Sequence, residues 1–226
     1  MIRVRLIALA CCVGCNTPSA GDEPETVSGL FTFGDFMSGN GIEHLAVCEL
    51  DTDNCDTTDA DGFATLSLPA ETDFALTIVG GSYAPFLMPL RTTSEELVVD
   101  NFLAPQSIYE LAADTAGLQY DLNLGVMAVS LVDVDHVPVA GYSGAISAGE
   151  GTFYIDDLGL AVDLTLTATS AAGRLFAMNV DNDMLTLTLD GPATCWPREH
   201  YWTTSANEAT MPVLPGFVSG VLLQCD

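Results

Sequence analysis

Thr58-Asp59-Ala60-Asp61-Gly62-Phe63-Ala64-Thr65-Leu66-Ser67-Leu68 is the stretch that decides the fold. Its second half alternates large and small or polar residues with period two. That period puts one face of a β-strand in a core and the other in solvent. Its first half is a turn: the Asp residues accept hydrogen bonds from nearby amides, and Gly62 supplies positive φ before the strand.

Short runs of the same kind lie on either side. Val27–Phe33, His44–Leu50 and Phe74–Val79 read as strands in the first half. Val126–Val132, Tyr142–Ser147, Thr152–Ile155, Leu164–Thr167, Arg174–Asn179, Met184–Leu189 and Phe217–Leu223 read as strands in the second. One helix interrupts them. Ser107-Ile108-Tyr109-Glu110 predicts a capping box, with Ile108, Leu111, Ala112 and Thr115 at helical spacing and Gly117 as the stop. The order turn, strand, turn, strand at Thr58–Ile78 recurs at Thr169–Thr188, about 110 residues later by the interval from Thr58 to Thr169. The expectation is an all-β chain of two tandem sandwich domains, transthyretin-like or immunoglobulin-like. Their spans are 26–102 and 124–226, joined by a short helical linker over 103–123.

The first half resembles the carboxypeptidase regulatory-like family. The residues that carry the likeness are Val27-Ser28-Gly29, the Thr58–Gly62 turn, Phe63–Pro69, Leu76-Thr77-Ile78 and Tyr83-Ala84-Pro85. Gly81-Ser82-Tyr83 has one residue more between Gly and Tyr than the family thread. The second half matches more loosely, through Val129–Val134, Pro138–Gly141 and Thr169–Val180. The resemblance implies small transthyretin-like sandwiches of about seven strands that act as accessory domains without peptidase activity.

The N-terminus predicts an address. Arg3 and Arg5 precede an apolar run, Leu6–Val13, which is shorter than the about 20 residues a membrane-spanning helix needs. Residues 1–14 therefore read as a signal peptide. Cys12-Val13-Gly14-Cys15 resembles the lipobox of bacterial lipoproteins and predicts lipid attachment at Cys15. Cys12 stands where Leu is usual, and Leu9-Ala10-Cys11-Cys12 offers a second frame ending at Cys12. A signal cut nearby without acylation is the plainer alternative. Residues 15–25 are polar, with Pro18, Gly21 and Pro24, and read as a flexible tether. Asn16 after the cysteine predicts the outer membrane of a bacterial envelope by the sorting rule of some lipoproteins. The partners expected are that membrane, through the anchor, and an envelope protein or glycan.

The chain holds 31 acidic residues against 5 arginines and no lysine, for a net charge of −26. Beyond the leader only Arg91, Arg174 and Arg198 remain. Such a balance excludes nucleic acid, whose affinity rests on cations that neutralise phosphates. A hydrophobic content of 49% can nonetheless fill a core.

Cys48, Cys55, Cys195 and Cys225 follow Cys15. An even count in an exported chain predicts two disulfides. Three pairings are open, and Cys48–Cys55 with Cys195–Cys225 keeps each bridge inside one expected domain. A zinc site is the rival, but no C-x₂-C pair is present.

Two patches hold candidate ligand chemistry. Asp51, Asp53, Asp56, Asp59 and Asp61 could supply oxygens to a structural calcium ion. Leu68 stands where an EF-hand would place its bidentate Glu, so a solvated turn is the simpler reading. Asp133, Asp135, Asp156, Asp157 and Asp163 form a second acidic set if their strands meet. Trp196, Arg198, His200, Tyr201 and Trp202 form a candidate sugar- or protein-binding patch. The alternative is that both tryptophans cover the end of the sandwich. His44, His136 and His200 lie far apart, and neither H-E-x-x-H, G-x-S-x-G nor a phosphate loop occurs. No cofactor beyond calcium is expected. The expectation is a non-enzymatic binding or structural module, with carbohydrate binding as the alternative and an undetected enzyme behind it.

Overall fold

The computed structural model describes residues 25–226, apart from 160, 182, 199–201, 203 and 204. The leader, Cys12, Cys15, nearly all of the tether, His200 and Tyr201 fall outside the described residues. Among those described, the chain is almost entirely β.

In the first half, β1 (Thr26–Asp35) pairs antiparallel with β4 (Phe63–Pro69) and parallel with β7 (Leu97–Leu103). A second sheet orders β6 (Phe86–Arg91), β5 (Asp73–Val79), β2 (Ala46–Glu49) and β3 (Cys55–Thr57). The alternation in β4 is real: Ala64, Leu66 and Leu68 point inward and Phe63, Thr65 and Ser67 outward. They meet Phe31, Phe33, Leu76, Ile78, Met88 and Leu90 in one core.

The second half repeats this order. β8 (Gly125–Val132) pairs antiparallel with β11 (Arg174–Val180) and parallel with β15 (Val218–Cys225). β10 (Thr152–Tyr154) extends that sheet beside β11, and β13 (Cys195–Pro197) pairs with the end of β15. Opposite lie β14 (Glu208–Pro212), β12 (Met184–Asp190) and β9 (Ser143–Ile146). Between the layers sit Met127, Val129, Leu131, Leu175, Leu187 and Leu223.

The echo between Thr58 and Thr169 is a shared hydrogen-bond circuit. Buried Thr58 accepts the Leu45 amide (2.8 Å) and donates its hydroxyl to the Ile42 carbonyl (2.7 Å). Buried Thr169 accepts the Tyr142 amide (3.1 Å) and donates to the Val139 carbonyl (3.1 Å). Four residues on, Gly62 and Gly173 have φ of 84° and 60°. Their carbonyls accept from Phe33 and Leu131 of the facing strands. A Cβ at Gly62 would lie 2.3 Å from the Phe33 carbonyl oxygen, and one at Gly173 2.5 Å from that of Leu131. Only glycine satisfies both the close approach and the left-handed backbone there.

The two halves share a sheet. β15 runs parallel to β6 through Val218↔Phe86 and Ser219↔Leu87, so β3-β2-β5-β6 continues into β15-β8-β11-β10. Successive side chains of a strand point to opposite faces. Val126 and Val218 consequently join the first core, while Met127, Val129 and Val221 join the second on the reverse face.

The helix, α1 (Gln106–Thr115), differs at its start from the capping box. Pro105 is the N-cap, Ser107 lies within the first turn, and Glu110 accepts from the Gln106 side chain at 2.7 Å. Pro105 is still extended (ψ 145°), so the cap lies two residues before the expected one. Its end follows expectation: Gly117 (φ 73°) donates to Asp114, and Leu118 donates to Ala113. Tyr109 and Ala112 face the first core, and the Tyr109 ring meets Phe176 of β11 at 5.6 Å.

Leu164–Thr167 is not a strand. Asp163 accepts both the amide (2.9 Å) and the hydroxyl (2.6 Å) of Thr165, which bends the segment into a turn despite its alternation. Both disulfides are present, Cys48–Cys55 and Cys195–Cys225, each between residues directly opposite on paired strands.

Candidate functional site: a cleft beneath the helix

The face of the shared sheet that carries the first core extends beyond it. Over β6 and β5 that face is covered by the β4-β1-β7 sheet. Over β11, β8 and β15 the described residues that approach it include those of α1 and the margin of β7, with Phe36, Ile155 and Val162. Between them lies a cleft of about 820 Å³. Its floor includes Ala128, Ser130, Phe176, Gly220 and Leu222, and its walls include Val98, Phe102, Ile108, Leu111 and Val162. Gly220 is there for space: a Cβ would lie 2.1 Å from the Phe86 ring, which crosses it at the cleft edge. Val98, Phe102 and Leu111 are more than half exposed, so the mouth of the cleft is apolar as well.

Strand register places the charges. Arg174 of β11 is opposite Ser130 of β8, which is opposite Leu222 of β15. The Arg198 amide, just past β13, donates to the Leu222 carbonyl. The two arginines thus lie in one row across four neighbouring strands, their backbones about 14 Å apart at ~4.8 Å per strand. Both line the cleft, with His136 at its margin and Asp100 as the single carboxylate among the described lining residues. The Arg174 guanidinium stacks over the Phe36 ring at 4.8 Å. Among the described residues it has no ion-pair partner. Burial lowers its pKa, an effect that Tyr109 partly offsets. Burial likewise raises the Tyr109 phenol, which remains a neutral part of the wall.

The residues singled out from the sequence are distributed differently. Trp196 stands on β13 at 46% exposure, above a shallow depression of about 330 Å³ shared with His136, Arg198, Gln224 and Asp226. Trp202 is half-buried and donates its indole N–H to the Phe74 carbonyl at 2.8 Å. The two rings form no common platform, because Trp202 is committed to a strand of the first half. Asp51 and Asp53 are exposed in the β2–β3 turn. Asp56 accepts from the Thr57 and Thr65 amides, and Asp59 from those of Asp61 and Phe63. In the second acidic set Asp133 accepts from Asp135 and Val137, Asp157 from Ala171, and Asp163 from Thr165. Among the described residues no three His, Cys, Asp or Glu side chains converge as a metal site. Tyr83 of the Gly81–Pro85 segment donates to Asp35 at 2.9 Å, closing the end of β1. Phe36, Tyr109 and Phe176 also line the cleft, and no local motif marks them. Their separation in sequence hides that one cleft collects them.

No family model matches the chain, and no curated protein matches it. Solved structures that align with it include the shaft pilin SpaA of Lactobacillus rhamnosus GG, 10% identical at TM-score 0.28 over 89% of this chain and 98% of that one. The minor pilin GBS52 of Streptococcus agalactiae is 12% identical at TM-score 0.27, over 88% and 95%. A streptococcal ancillary pilin is 11% identical at TM-score 0.29, over 88% and 69%. Scores of this size do not establish a common fold.

Proposed function

We propose that this chain is an exported, lipid-anchored and non-enzymatic binding module of a bacterial envelope that takes an apolar ligand in the cleft beneath α1. The observation that carries the reading is the cleft itself. Its volume lies in the ~300–1,000 Å³ range of small-molecule sites, and it lies where two sandwiches meet. The exposed ring of Trp196 is a narrower basis for sugar binding, since Trp202 is turned away to bond Phe74.

Neutral Nile red is the probe. Its emission should rise and shift to the blue with the wild-type chain, and Leu222→Trp, which fills the floor, should abolish the change. An unchanged response in that variant would reject the cleft as the site.

The anchor rests on Gly14-Cys15 and on an address that the two disulfides suit. Cys15→Ala is expected to move the protein from the membrane to the soluble fraction and to end palmitate incorporation. Continued labelling would shift the attachment to Cys12, and unchanged partitioning without label would remove the anchor.

A further inference from the structure

We propose that the ligand of this cleft is a single-chain anionic amphiphile of the fatty-acid type, its carboxylate on Arg174 and its hydrocarbon along Phe86, Ile108 and Phe176. The inference deepens the binding-module reading and rests on it. Three observations support it independently of one another.

The first is where the positive charge is. The chain has 31 acidic residues and 5 arginines. Arg91, the one described arginine outside the cleft, lies on the surface and pairs with Asp73 at 3.2 Å. Arg174 and Arg198 both line the cleft, against Asp100 alone. A chain this acidic repels free anions over most of its surface. Two of its three described cations are gathered at this apolar cleft.

The second is the state of Arg174. A partly buried guanidinium has given up part of its hydration, which a ligand carboxylate would replace. The Phe36 ring occupies one face of the guanidinium. That contact leaves its donor edge for a planar acceptor, and a carboxylate matches the guanidinium fork with two parallel hydrogen bonds.

The third is the shape of the apolar surface. From Arg174 the same face of β11 continues to Phe176, opposite Ala128 of β8, which is opposite Gly220 of β15. The small side chain at Ala128 leaves a trough, ended by the Phe86 ring, which fills the space above Gly220, and bordered by Ile108 of α1. A flexible chain lying in that trough removes apolar surface of both partners from water. Arg198 stands three strands along the row from Arg174 and adds its charge to the field of the cleft.

The test compares dodecanoate with dodecanol, both by displacement of Nile red from the full-length chain. Dodecanoate should bind roughly ten- to a hundredfold more tightly, the range of a charge-assisted hydrogen bond pair. Arg174→Gln should bring dodecanoate to the level of dodecanol, both measured within that variant against its own Nile red binding. Equal affinities in the wild-type chain, or a preference that survives Arg174→Gln, would overturn the anionic ligand while the cleft stands. Nile red that binds but is displaced by neither also overturns it. A full-length chain that excludes dodecanoate while a chain beginning at Glu25 takes it would assign the cleft to residues 1–24 and overturn the proposal. Failure of Nile red itself to bind would remove the underlying reading instead.

Discussion

Phe31→Ala is expected to lower the unfolding free energy by about 3–5 kcal/mol, the cost of deleting a fully buried aromatic side chain. Phe31 is completely inaccessible and lies at the centre of β1, between Ala64 of β4 and Val99 of β7. No neighbouring side chain is long and free enough to fill the space, because Leu66, Leu68 and Leu76 are already enclosed. The loss should reach the second half. Val126, Met178 and Val218 belong to the first core, and β6 is paired with β15. Trp202 bonds to Phe74 of the first half, so in a Trp202→Phe background the remaining Trp196 on β13 reports on the second half. In urea titrations the midpoint from tryptophan fluorescence should fall together with that from far-ultraviolet circular dichroism. A tryptophan midpoint unaffected by Phe31→Ala would mean that the halves unfold independently.

Replacing Cys195 and Cys225 together by serine is expected to cost about 3.5 kcal/mol, against about 2.5 for Cys48 and Cys55. The difference follows from loop length: the bridges span 30 and 7 residues of sequence. A longer closed loop removes more freedom from the unfolded chain. Cys195–Cys225 also pins β13 to the end of β15, the strand that supplies the cleft floor and joins the halves. The measurement is equilibrium unfolding of both double variants, with the wild type in reductant as a third sample. Equal losses for the two bridges would show that loop closure is not what they contribute.

Strands with one buried face are legible. Ala64, Leu66 and Leu68 alternate with outward residues because the pleat has period two, and β12 reads the same way through Leu185, Leu187 and Leu189. β6 is illegible for the opposite reason. Phe86-Leu87-Met88-Pro89-Leu90 is buried on both faces, which erases alternation, and Pro89 reads as a breaker. Pro89 is tolerated because β15 pairs only with Phe86 and Leu87 on that side. β7 is masked by Asp100 and Asn101, and β13 and β14 are too short to show a period. Leu164–Thr167 has the alternation but not the strand, since the Asp163 side chain offers the backbone a turn first. For the site, Arg198 and Trp196 were visible as unusual residues. Trp202 is their neighbour in sequence, and a bond to Phe74, 128 residues away, separates it from them.

The sequence alone determined what depends on composition and local pattern: the β class, the recurring Thr-to-Gly turn, the disulfide-forming cysteines and the scarcity of cations. Each is a property of a residue or of a few neighbours, and the physics that acts on it is local. The cleft is of another kind. Arg174 and Arg198 reach one row only because β11, β8, β15 and β13, four separate stretches of chain, pair in a particular register. Register is decided by which faces must be buried against which. That balance is struck between cores formed by residues as far apart as Phe33 and Val218. Only the tertiary structure could turn two scattered arginines into one charged row beneath a helix.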